Sequence, residues 1–87
     1  MSKIIIMSHN IYDLVVFKDI EGNWKGDIYP SISRDKRKWI STILLNDKDG
    51  FQNVNNNLDC AIKDTICFLN KSGYKVIEKD DRYINMF

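Results

Sequence analysis

The residues with the most evident chemical potential lie together in Arg34-Asp35-Lys36-Arg37-Lys38-Trp39. Four cations beside an indole suit a nucleic-acid contact, with Arg34, Lys36, Arg37 and Lys38 on phosphates and the ring stacked on a base. The competing reading is a solvated connection, diluted by Asp35, leading into a strand whose Trp39 faces the core. Domains that bind nucleic acid usually carry a strong basic balance. Here thirteen Lys and Arg stand against twelve Asp and Glu, a formal net charge of +1. That total gives no global steering toward nucleic acid or an anionic membrane.

Other constellations are weaker. Asp47-Lys48-Asp49-Gly50 has the opening of a calcium loop, but the twelfth position, where a glutamate is required, is Leu58. A turn is the better reading. His9 is the only histidine, so no zinc site is expected. Cys60 and Cys67 sit seven apart in a segment with helical pattern. That separation is about 10.5 Å of axial rise, too far for a disulfide, and free thiols are expected. With Asp64, and with Phe68 beside them, the two cysteines are expected on the helix face opposite its apolar stripe. Asp13, Asp19, Glu21 and Asp27 offer carboxylates, but nothing selects a pair among them. No Gly-rich phosphate loop, nucleophile elbow or histidine-based metal motif is present. These readings point away from an enzyme and imply no cofactor and no metal.

At 87 residues the chain supports one core and a single domain over residues 1–87. Its 44% hydrophobic and 11% aromatic content argues for a folded domain. The apolar run Ile4-Ile5-Ile6-Met7 is far too short to span a bilayer or to form the apolar stretch of a secretory signal. A cytoplasmic setting without membrane contact is the expectation, in keeping with reduced thiols. Ala61 and Pro30 are the only alanine and proline, and lysine outnumbers arginine ten to three. That bias follows AT-rich codons and suggests a low-GC bacterium, its phage, or an AT-rich eukaryote.

The elements that must position these residues are read from periodicity. Residues Lys3 to Met7 form a β-branched strand expected to be buried on both faces. Asp13 to Ile20 and Trp24 to Tyr29 form a hairpin about Glu21-Gly22-Asn23, with Trp24, Gly26 and Ile28 sharing one face. Pro30, which has no N–H to donate, is expected to end that strand or mark an edge. Trp39 to Leu45 is a further strand, followed by a loop at residues 46–50. From about Val54 to Lys71, Val54, Leu58, Ala61, Ile62, Thr65, Ile66 and Leu69 make one helical stripe. Asn53, or one of the asparagines after it, is the expected N-cap. Gly73 suits the left-handed position past the helix end. Tyr74 to Glu78 resumes as a strand, and Tyr83 to Phe87 is apolar enough to dock. The expected fold is α+β: an antiparallel sheet of about four to five strands with one main helix across one face.

A sheet covered on one side leaves its other face wet or free for a partner. Trp24, Tyr29, Trp39, Tyr74, Tyr83 and Phe87 are more ring surface than such a core requires, and since Trp and Tyr are favoured interface anchors, Trp24, Tyr29, Trp39, Tyr83 and Phe87 are the expected partner contacts. The leading expectation is a non-enzymatic protein-binding module, of the kind a phage or mobile element uses to inhibit a host defence or toxin protein. The alternatives are an RNA- or DNA-binding module using the basic segment, and a self-assembling structural protein. The latter would form a homodimer through the open sheet face or the cysteine-bearing helix side. The strand–strand–strand–helix order resembles small antitoxin-like and phage-encoded domains, but topology alone does not carry function.

Overall fold

The computed structural model describes residues 3–32, 37–45 and 49–80. In chain order the elements are β1 (Lys3–His9), β2 (Val15–Asp19), β3 (Trp24–Ile32), β4 (Arg37–Leu45), β5 (Asp49–Asn55), α1 (Leu58–Lys71) and β6 (Tyr74–Asp80). The six strands form one sheet in the order β5-β4-β3-β2-β1-β6, with α1 packed on it. The α+β class stands as expected, but the sheet is larger than four to five strands and is mixed. Strands β1 to β5 are an antiparallel meander, whereas β6 pairs with β1 in parallel. The reason is directional. Four antiparallel steps return β5 to the direction of β1, and a helical crossover then delivers β6 in that same direction.

Local chemistry sets the connections. Asn10 Oδ1 accepts from the backbone of Tyr12 (2.8 Å) and Leu14 (3.1 Å), closing the bend from β1 to β2. Between β2 and β3, Asp19 Oδ1 accepts from the Glu21 (2.9 Å) and Asn23 (2.8 Å) amides, while Gly22 takes φ 91°. The Asn23 side chain donates to Asp19 Oδ2 at 3.0 Å. These hydrogen bonds, that of the Asn23 side chain foremost, hold the Asp19 carboxyl below its ordinary pKa.

Asn57, rather than Asn53, caps α1, accepting from the Asp59 (2.7 Å) and Cys60 (3.3 Å) amides. Lys71 lies in the last turn, where a cation suits the helix dipole, and Gly73 takes φ 92° just past the end.

Strand β3 runs beyond its expected end, and one strand was not expected. Pro30 does not terminate β3, which continues to Ile32. Pairing with β2 ends at Val15↔Ile28, so Pro30 pairs only with β4 and sits where β3 is locally an edge. The segment from Asp49 to Asn55, expected as loop and helix start, is the edge strand β5.

The core lies between α1 and the inner face of the sheet. Ile5, Met7, Val15, Phe17, Ile28, Trp39, Ile43 and Leu45 from the strands meet Ala61 and Leu69 from the helix. Only the inner side of β1 is fully buried, at Ile5 and Met7; Ile4 and Ile6 are half-buried, which corrects the expectation of burial on both faces. Thr65 is buried and donates its hydroxyl to the Ala61 carbonyl at 2.8 Å. Leu58, Ile62 and Ile66 flank the core, half-buried. Phe68 also belongs to this side, stacked on Phe51 of β5 with centroids 4.8 Å apart, not on the outward face with the cysteines.

Candidate docking surface

The sheet face opposite the helix is the most distinctive surface of the described residues. Alternation and register assign its side chains. The cross-strand pairs Ile6↔Ile77, Ile6↔Lys18, Val16↔Asp27, Asp27↔Thr42, Tyr29↔Ile40 and Ile40↔Val54 all point away from α1. Tyr29 (40% exposed), Leu44 (45%), Val54 (57%) and Ile77 (44%) lie open on it. Ile4, Ile6, Val16 and Ile40 fill the spaces between them, half-buried. Toward β5, Tyr29, Ile40, Thr42, Gln52 and Val54 line a depression of about 590 Å³.

Trp24 joins this face through a bulge. Phe17 pairs with Gly26, but the next residue, Lys18, pairs with Trp24, so β3 carries one extra residue at Lys25. A one-residue shift moves a side chain to the other face of a sheet. Trp24 therefore parts from Gly26 and Ile28, with which simple alternation grouped it, and is 46% exposed. On the inner side Gly26 makes room for β4, since a Cβ there would meet the Thr42 carbonyl oxygen and Ile43.

The same register brings Lys18, Lys38, Lys75 and Lys79 to this face, together with one carboxylate, Asp27. Asp27 is half-buried, with Val16 and Thr42 as its cross-strand neighbours. Burial raises its carboxyl above the ordinary pKa. Lys18 lies diagonally across from it, two residues along β2 from Val16, and is exposed. The other carboxylates stand on different elements: Asp13 in the bend before β2, with φ 62°, and Asp19 and Glu21 at the β2–β3 turn.

Of the remaining candidate anchors, Trp39 is 8% exposed and belongs to the core, with the Arg37 guanidinium 5.0 Å from its ring centroid. Tyr83 and Phe87 lie outside the described residues, as do Arg34 and Lys36. Arg37 and Lys38 are consecutive residues of β4, so alternation sends them to opposite faces. Lys38 Nζ donates to Asn56 Oδ1. Cys60 and Cys67 are free thiols on the exposed side of α1. Among the described residues no helix is long and apolar enough to cross a membrane. Set against family models, characterised proteins and solved structures, the chain matches none.

Proposed function

We propose that this chain is a non-enzymatic protein-binding module that engages its partner through the open face of the sheet. The observation that carries this reading is the placement of Trp24 and Tyr29, both exposed on the sheet face opposite α1, which also shows Leu44, Val54 and Ile77 among polar and lysine side chains. Monomeric proteins rarely leave apolar patches larger than a few hundred Å² uncovered. Trp and Tyr anchors surrounded by aliphatic contacts are the usual energetic centre of an interface. The composition adds a setting: a small product of an AT-rich genome, consistent with a phage or mobile-element inhibitor of a host protein.

The test is capture from a host extract in parallel with wild-type chain and with Trp24→Ala and Tyr29→Ala, each with and without nuclease. A nuclease-resistant partner that binds wild type and dissociates faster from both variants supports the proposal, at about 2 kcal/mol or more per anchor. Nuclease-sensitive capture that survives both substitutions and disappears when Arg34, Lys36, Arg37 and Lys38 become alanine would replace it with the nucleic-acid reading.

A further inference from the structure

We propose that the partner of the open sheet face is an acidic protein, one that seats an apolar side chain on Ile6 and Ile77 and sets carboxylates against Lys18, Lys75 and Lys79. This names the chemistry of the partner and rests on the reading of that face as a docking surface.

The register of three adjacent strands carries the inference. Ile6 of β1 lies directly opposite Ile77 of β6 on one side and Lys18 of β2 on the other. Lys75 and Lys79 stand two residues either side of Ile77, so alternation keeps them on the same face. Four residues of strand put Lys75 and Lys79 about 13 Å apart, and two strand spacings place Lys18 about 10 Å from β6. Three ammonium groups therefore enclose an aliphatic pair. All three lysines are exposed, and Ile77 is exposed beside the half-buried Ile6.

Charge on this part of the face is one-sided. Among the described strand residues, no carboxylate of β1, β2 or β6 shares it: Glu78 alternates to the other side of β6, and Asp19 to the other side of β2. Asp27 stands on β3, diagonal to Lys18. The chain as a whole carries only +1, so the three lysines are a local segregation of charge and not part of a general basic character. Such a cluster steers an acidic surface toward the face and disfavours a basic one.

The middle of the triangle favours a protein over a nucleic acid. Single strands are held by cations interleaved with rings on which the bases stack. Here the enclosed residues are aliphatic, and Trp24 stands outside them, on β3 opposite Lys18. The complement of Ile6 and Ile77 is an apolar side chain flanked by carboxylates about 13 Å apart, which an extended segment supplies with Glu two residues either side of Leu.

The experiment is fluorescence anisotropy of labelled probes titrated with the full chain. The probes are a repeating Glu-Ser-Leu-Ser peptide, its Gln-Ser-Leu-Ser and Glu-Ser-Ser-Ser counterparts, and an oligothymidylate of matching length. An exposed ion pair is worth about two- to fivefold in affinity, so three together should favour the Glu-Ser-Leu-Ser peptide over its Gln counterpart about tenfold or more. It should also bind more tightly than the peptide without leucine. Lys75→Ala combined with Lys79→Ala should weaken it about fivefold or more, and that difference should shrink at about 0.5 M salt. Lys63→Ala, on the exposed side of α1, should leave it unchanged. The substituted lysines are exposed, and circular dichroism checks that each variant is folded. Equal binding of the Glu and Gln peptides, indifference to the paired lysine substitution, or no binding of any peptide up to about 1 mM would overturn the acidic partner. Any of these leaves the docking face to be judged by capture through Trp24 and Tyr29. Oligothymidylate bound more tightly than the acidic peptide, and lost with the same lysines, would replace the protein with a nucleic acid. Capture indifferent to both Trp24→Ala and Tyr29→Ala would refute the docking face itself.

Discussion

Gly26→Ala should be among the most damaging single-atom changes in this protein. A Cβ at that position would stand 2.6 Å from Ile43 Cδ1 and 2.8 Å from Ile43 Cα, and would press still more closely on the Thr42 carbonyl oxygen. The methyl end of Ile43 can rotate away, but a Cα and a carbonyl of the neighbouring strand cannot move without disturbing the ladder. Overpacking ordinarily costs about 1–3 kcal/mol, and backbone obstruction puts this case at or beyond the upper end. Domains have roughly 5–15 kcal/mol in hand, and one of this size sits low in that range. Urea unfolding followed by circular dichroism should therefore show a large drop in midpoint. Gly22→Ala is the control, because nothing lies within 4 Å of its Cβ and only the φ of 91° opposes it. That strain is worth about 1–2 kcal/mol. If Gly26→Ala loses less stability than Gly22→Ala, the close approach of β3 and β4 is wrong.

Along α1, Leu69→Ala should cost about 2–5 kcal/mol because Leu69 is fully buried. Half-buried Leu58→Ala should cost clearly less, and exposed Lys63→Ala under about 0.5 kcal/mol, all by the same urea assay. Asp27 and Asp19 should respond to pH with opposite signs. The Asp27 carboxyl is raised by burial, so its ionised form weakens the fold above its folded pKa, and that penalty fades as pH falls. Asp27→Asn should then stabilise dilute, monomeric protein at neutral pH, with a gain that shrinks in acid. Asp19, lowered chiefly by the Asn23 side chain, contributes stability above its unfolded pKa and loses it as pH falls through the folded value. Asp19→Asn should destabilise at neutral pH and progressively less in acid.

The sequence made the hairpin, the helix and the covered-sheet plan legible because each follows from a local rule. Period-two alternation groups Val15 with Phe17, the pair that the structure buries, and the stripe through Ala61, Thr65 and Leu69 marks the packed helix side. Strand β5 escaped because only Phe51 on its inner side is apolar, and the next two inner positions are asparagines. Asn53 and Asn55 occupy positions where an apolar residue would announce a strand, and their amides donate to Asp64 Oδ2 of the helix at 3.0 and 3.2 Å. Val54 also falls four residues before Leu58 and so mimics another turn of the helix, although it points to the open face. The parallel pairing of β6 is a long-range consequence of the crossover, which no turn residue encodes. The position of Trp24 was hidden for a similar reason, since one extra residue in β3 reverses its side and nothing local marks the bulge.

The central claim is that the sheet face opposite α1, and not the helix side, meets the partner. Paramagnetic relaxation by a soluble gadolinium chelate, measured residue by residue in free and bound chain, tests it most directly. On binding, Trp24, Tyr29, Leu44, Val54 and Ile77 should lose their exposure to the probe, while Cys60 and Cys67 on the helix keep theirs and alkylate at an unchanged rate. Protection of Cys60 and Cys67, with the sheet residues as exposed as before, would contradict the account.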